Sequence, residues 1–235
     1  ALDAQRALFA TQQALAQSAK GDQQRRYDFA EAHAEMPYRL YVPQSYDPAR
    51  KIPLVVALHG YGGTPAPIAE VYRGSASRLG ALLVVPRGQE TVGRGFGWGV
   101  VEQAEYLVEQ AIARTAAERP VGPIVLTGFS QGAGIALTMA ARHPGRYAGV
   151  VAVAGWFEER LAPLPERVPQ VFPRFFLLNG ERDEAAANNR RAAQRLEQAG
   201  AAVRVRIYPG IGHEFPPPEE RDRELDQALR FAFGS

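Results

Sequence analysis

Three residues of this chain, Ser130, Asp183 and His213, are of the right type and setting for nucleophilic chemistry. Ser130 stands in Gly128-Phe129-Ser130-Gln131-Gly132. It follows the apolar, β-branched run Ile124-Val125-Leu126-Thr127 and precedes an apolar-periodic stretch with Ile135, Leu137 and Met139. A strand, a tight turn and a helix with serine at the apex form the context that a G-x-S-x-G nucleophile elbow requires. Glycines flank the serine because so sharp a turn has no room for neighbouring Cβ atoms. The hydroxyl then stands at the positive end of the following helix. In an ordinary loop the same pattern would be a chance match, and the strand before and helix after it favour the nucleophile.

Serine needs a positioned base to attack at neutral pH. Of the 4 histidines, His213 lies in Gly210-Ile211-Gly212-His213-Glu214-Phe215, a polar loop just past the last expected strand, where a base belongs. His33 precedes the sheet and His143 sits before Pro144, so both read as surface or capping residues. The base in turn needs an acid to hold its tautomer. The segment Asn179-Gly180-Glu181-Arg182-Asp183-Glu184 offers Asp183 first, with Glu181 and Glu184 as rivals. Asp183 could instead serve only as N-cap of a helix beginning at Ala185.

A tetrahedral oxyanion needs two preorganised donors. The backbone N–H of Gln131, next to the nucleophile, is one. The glycine-rich segment His59-Gly60-Tyr61-Gly62-Gly63-Thr64 offers the other through the Tyr61 N–H, with His59 read as structural. Trp98 with Phe96, and Trp156 with Phe157, follow other expected strands and are candidate pocket walls, though aromatics there are also ordinary packing residues.

These residues need a frame that brings strand ends together. Strands are expected at Leu54–Leu58, Leu82–Val85, Ile124–Thr127, Val150–Val153, Phe175–Leu178 and Val203–Ile207. Helices are expected at Ile68–Leu79, Val101–Glu118, Gln131–Arg142, Ala185–Gln198 and Glu219–Phe233. Apolar strands alternating with helices imply an α/β fold with a mostly parallel central sheet and helices on both faces. Tyr27 to Val42 should add two antiparallel strands, and Leu2 to Lys20, ended by Gly21, reads as an N-terminal packing helix. Arg87 to Gly99 reads as a flexible glycine-rich loop opening on the site's edge, and Pro216-Pro217-Pro218 should stiffen the histidine loop and start the last helix. Without repeat or linker, residues 1–235 read as one domain, with 1–21 a helical extension.

Composition narrows the function. The net charge is only +2 and the basic residues are dispersed, which argues against a nucleic-acid partner. No apolar run is long enough to span a membrane. Absence of cysteine excludes disulfides, thiolate metal sites and a cysteine nucleophile. A chain that begins at Ala1 rather than Met favours a periplasmic or secreted setting over a cytoplasmic one. Nothing in the residues specifies an oligomeric state.

His59-Gly60, the elbow Gly128 to Gly132, Gly180 to Asp183 and Gly212-His213-Glu214 together resemble the α/β-hydrolase superfamily, whose triad order is serine, acid, histidine. Within it they are similar to the phospholipase/carboxylesterase branch, which includes acyl-protein thioesterases, over about Tyr38 to Phe233. The resemblance implies an ester or thioester hydrolase of small-molecule substrates, with no metal and no organic cofactor. The chain departs from that branch at Ala133, where glycine is frequent, at Gly63, where an acidic residue is frequent, and after Asp183, where apolar residues usually follow. Those differences bear on the substrate and not on the triad. Feruloyl, acetyl-sugar, polyester, lysophospholipid and thioester substrates all stay open. A serine peptidase would usually carry a propeller or large cap, for which the chain has no room. A catalytically silent binding scaffold would not need all three triad types.

Overall fold

The computed structural model describes residues 21–29 and 34–235, with side chains from Pro37 onward. The helix expected over Leu2 to Lys20, and His33, lie outside the described residues.

Strands β1 (Gly21–Phe29) and β2 (Ala34–Val42) pair antiparallel, in register from Gly21↔Val42 to Phe29↔Ala34. The pair is the one expected from Tyr27 to Val42, but it begins earlier, at Gly21. The chain then alternates strand and helix. In order come β3 (Ile52–Leu58), α1 (Pro65–Arg78), β4 (Leu82–Pro86), the short strands β5 (Glu90–Val92) and β6 (Gly95–Gly97), and α2 (Val101–Glu118). They are followed by β7 (Val121–Phe129), α3 (Gln131–Arg142), β8 (Gly149–Val153), β9 (Arg174–Gly180), α4 (Ala185–Gln198), β10 (Val203–Tyr208) and α5 (Pro218–Phe233).

The main sheet of the described residues has the order β1-β2-β4-β3-β7-β8-β9-β10. β2 meets β4 antiparallel, and every pair from β4 to β10 is parallel. Buried on both faces, these strands are nearly continuous apolar runs, such as Leu82-Leu83-Val84-Val85. Their side chains alternate between faces. Leu54, Val56 and Leu58 join Leu107, Val108, Ala136 and Leu196 on the face covered by α2, α3 and α4. Val55 and Ala57 join Tyr72, Leu225 and Leu229 on the face covered by α1 and α5. Each such fully buried leucine or valine contributes about 1.5–3 kcal/mol of transfer free energy.

Parallel strands all end at one edge, so the loops after β3, β4, β7, β8, β9 and β10 gather there. The segment after β4 corrects the expectation of a flexible loop. Glu90↔Gly97 and Val92↔Gly95 close it into an antiparallel hairpin. That hairpin is bonded to the loop after β3, with Gly62 N–H donating to Phe96 O at 3.0 Å and Phe96 N–H to Gly63 O at 2.8 Å.

Candidate active site

At the apex between β7 and α3, Ser130 has φ 54° and ψ −119°. A non-glycine residue there carries a strain of about 1–3 kcal/mol that the surroundings must impose. They do so by close packing. A Cβ on Gly128 would lie 2.6 Å from the Gly132 carbonyl carbon, and one on Gly132 would lie 2.5 Å from the carbonyl oxygens of Leu58 and His59. Ser130 N–H donates to Val153 O at 3.0 Å, which ties the turn to the neighbouring strand.

The loop after β10 brings His213 over this turn, with Nε2 2.8 Å from Ser130 Oγ. Its Nδ1 lies 3.2 Å from Asp183 Oδ2, an arrangement that suits an Nδ1–H tautomer with Nε2 facing Ser130. The other carboxylate oxygen accepts Ala185 N–H at 2.9 Å. Asp183 thus contacts the histidine with one oxygen and the start of α4 with the other. Glu181 turns away and accepts Gly210 N–H at 3.1 Å, while Glu184 lines the cleft without reaching His213.

Two supports were not evident in the sequence. Phe129 stacks on Phe215 with centroids 4.8 Å apart and lies 5.1 Å from the His213 ring, which clamps the histidine loop to the elbow. Behind the acid, buried Asn189 donates through Nδ2 to Asn179 Oδ1 at 2.8 Å and to Gly155 O at 2.7 Å, while Asn179 Nδ2 stands 3.5 Å from Asp183 Oδ2. The available signals were a polar Asn179 ending the apolar run Phe175 to Leu178, and an Asn188-Asn189 pair in an alanine-rich helix.

A cleft of about 430 Å³ opens at Ser130 and His213. Its walls include Val101, Ile135, Ala154, Trp156 and Leu161, with Glu158 and Glu184 as ionisable groups besides Asp183 and His213. Ala154 is the other non-glycine residue at positive φ among those described, 52°, and its N–H donates to Leu178 O at 2.8 Å. Trp156, 49 % exposed, is one of its walls.

Trp98 is not. It is 0 % exposed and lies outside the cleft, because its ring packs on His59 and its indole N–H donates to His59 O at 2.8 Å. Phe96 lies under the Arg87 guanidinium and Phe157 is buried, so neither lines the cleft.

His59 is 1 % exposed. Its Nδ1–H donates to Gly60 O at 2.8 Å, and its Nε2 accepts Gly88 N–H at 3.0 Å. Only the neutral ring can make both bonds, and burial holds its pKa below the ordinary histidine value, with nearby Arg87 acting in the same direction. As first residue of α3, Gln131 has an N–H without an intrahelical acceptor. Among the described residues no backbone carbonyl accepts the Tyr61 N–H. Among them, too, no group of three or more His, Asp or Glu could hold a metal, and no helix is long and apolar enough to cross a membrane.

The Esterase family model, described as “Putative esterase”, matches residues 30–228. No curated protein matches the sequence. Esterase PE8 is a structural neighbour with a TM-score of 0.68 and 23 % identity, covering 82 % of this chain and 97 % of that one. The S-formylglutathione hydrolase from Agrobacterium tumefaciens gives 0.69 at 17 % identity, over 92 % of this chain and 96 % of that one. The hyperthermophilic esterase from the archaeon Pyrobaculum calidifontis gives 0.73 at 16 % identity, over 100 % and 93 %. At these identities the neighbours establish the α/β-hydrolase fold, and the family match carries the activity class. The chain belongs to the Esterase family of carboxylic ester hydrolases.

Proposed function

We propose that this esterase works through a Ser130-His213-Asp183 triad and an acyl-enzyme intermediate. The observation that carries the reading is the unbroken contact from Asp183 Oδ2 through both ring nitrogens of His213 to Ser130 Oγ, at 3.2 and 2.8 Å, at the mouth of an apolar cleft. Ser130 Oγ attacks the ester carbonyl carbon while His213 Nε2 takes its proton, and Asp183 stabilises the imidazolium. The backbone N–H groups of Tyr61 and Gln131 receive the oxyanion. Collapse breaks the carbonyl–alkoxy bond, and the alcohol leaves with the proton from His213. Water, deprotonated by the same nitrogen, then releases the acid and restores Ser130.

In this reading the chain is one catalytic domain acting on small-molecule esters, supported by the two apolar layers that share one sheet. The cleft suits an acyl or alcohol arm of moderate size. It has no lysine or arginine among its lining residues, so neutral or cationic arms fit it better than anionic ones. A thioester presents the same carbonyl to Ser130 and belongs in the same substrate panel.

Steady-state hydrolysis of chromogenic esters of increasing acyl length, with one thioester, tests the reading. Ser130→Ala and His213→Ala should each lower kcat by roughly 10⁶, and about equally, because the triad acts as a unit. Near-normal turnover by His213→Ala would remove it from the mechanism. No turnover of any ester by the wild type would favour a silent scaffold, and cleavage of peptide but not ester substrates would favour a peptidase.

A further inference from the structure

We propose that Trp98 is a positioning residue of the oxyanion hole, fixing both backbone donors from outside the cleft. This rests on the triad reading above and adds to it what holds the donors still.

Trp98 makes three connections. Its indole N–H donates to His59 O at 2.8 Å, its ring stacks on His59 with centroids 4.8 Å apart and planes at 29°, and its backbone N–H donates to Gln131 Oε1 at 3.3 Å. His59 and Gln131 lead into the two candidate donors. Gln131 supplies its own N–H. On the other side, Gly60 O accepts from His59 Nδ1 at 2.8 Å and from Gly63 N at 3.0 Å.

That pinning decides where the Tyr61 N–H points. The Gly60 C=O and the Tyr61 N–H belong to one planar trans peptide and face opposite ways. Two donors hold the carbonyl toward His59 and Gly63, so the N–H faces away from them. Gly60 itself abuts the elbow, where a Cβ on it would lie 3.4 Å from Ser130 Cβ. The Tyr61 N–H thus depends on the His59 ring, and the His59 ring and carbonyl depend on Trp98. Being fully buried, Trp98 gives up little freedom when the transition state forms, which is what a preorganised donor pair requires.

Trp98→Phe removes the indole N–H and keeps an aromatic ring for stacking. The expected result is a ten- to hundredfold fall in kcat, roughly the range for displaced or lost oxyanion donors, with KM within about twofold. A trifluoromethyl ketone, which adds Ser130 Oγ to give a tetrahedral oxyanion, should lose affinity by the same factor as kcat/KM. The corresponding methyl ketone, bound as its free carbonyl form, should bind both proteins alike. Gln131→Met, at a partly exposed position, cuts the other connection and should give the same pattern at a few-fold scale.

Unchanged trifluoromethyl ketone affinity in either folded variant would overturn the proposal, as would equal losses for both ketones. If Trp98→Phe does not fold, Gln131→Met decides. Failure of the triad reading looks different, since the wild type itself would then not bind the trifluoromethyl ketone more tightly than the methyl ketone.

Discussion

The two walls beside Ser130 are built in opposite ways. The wall from β3 and β4 carries an exposed Tyr61 side chain but is anchored by buried, bonded groups, with His59 at 1 % exposure, Trp98 at 0 % and the β5–β6 hairpin paired to Gly62 and Gly63. The wall after β8 is open, with Trp156 at 49 % exposure and Glu158 beside it. It is held mainly from beneath, where Asn188 brackets the Phe157 backbone at 2.9 and 3.1 Å and Asn189 holds Gly155 O. A wall of fixed amides suits charge that develops at one point in space. A wall of exposed aromatic and carboxylate side chains suits a substrate arm of variable shape. Under the proposed mechanism, one side governs rate and the other governs which ester is accepted.

The largest effect that sharpens this contrast belongs to neither wall. Asp183→Asn keeps the bond to the start of α4 possible but favours the wrong histidine tautomer, so kcat should fall by roughly 10⁴, while Glu181→Gln stays near wild type. A crippled Glu181→Gln with an active Asp183→Asn would move the acid to Glu181. Next in size, Trp156→Ala should raise KM several-fold for long-chain esters and leave kcat for an acetyl ester unchanged. A matching loss of kcat on short and long esters would mean that this wall, too, sets the rate.

The smallest effect is on the β3–β4 wall. His59 has a folded-state pKa below its ordinary value of about 6.5, so on acidification the unfolded chain takes up a proton there before the folded one does. The associated stability is fully present above about pH 6.5 and is lost as the pH falls toward the lower folded value. Thermal unfolding between pH 7.5 and 5 should therefore show a shallower loss for His59→Gln than for the wild type. Equal slopes would mean that His59 is not held neutral.

Much of this frame was legible in the sequence because burial on two faces leaves a periodic trace. The helices expected at Val101–Glu118, Gln131–Arg142 and Ala185–Gln198 have those bounds in the fold. The three candidate residues, distant in sequence, do meet, since each follows the end of a parallel strand and those ends share one edge. Trp98 was misread because its neighbours Gly97 and Gly99 resemble a solvated loop. The β5–β6 hairpin is bonded in turn to Gly62 and Gly63, which are remote in sequence. The Phe129–Phe215 clamp and the Asn179–Asn189 bond are likewise contacts between elements, and no local pattern encodes them. The elbow pattern resembles the phospholipase/carboxylesterase branch, and the family model that matches is Esterase, likewise a family of ester hydrolases.

The central claim is that Ser130 is the nucleophile. Treating the folded protein with a fluorophosphonate and mapping the adduct by peptide mass spectrometry tests it most directly. The expected result is one phosphonyl group per chain, on the peptide containing Ser130, abolished in Ser130→Ala and strongly slowed in His213→Ala. An adduct on another residue, or labelling that persists in Ser130→Ala, would contradict it.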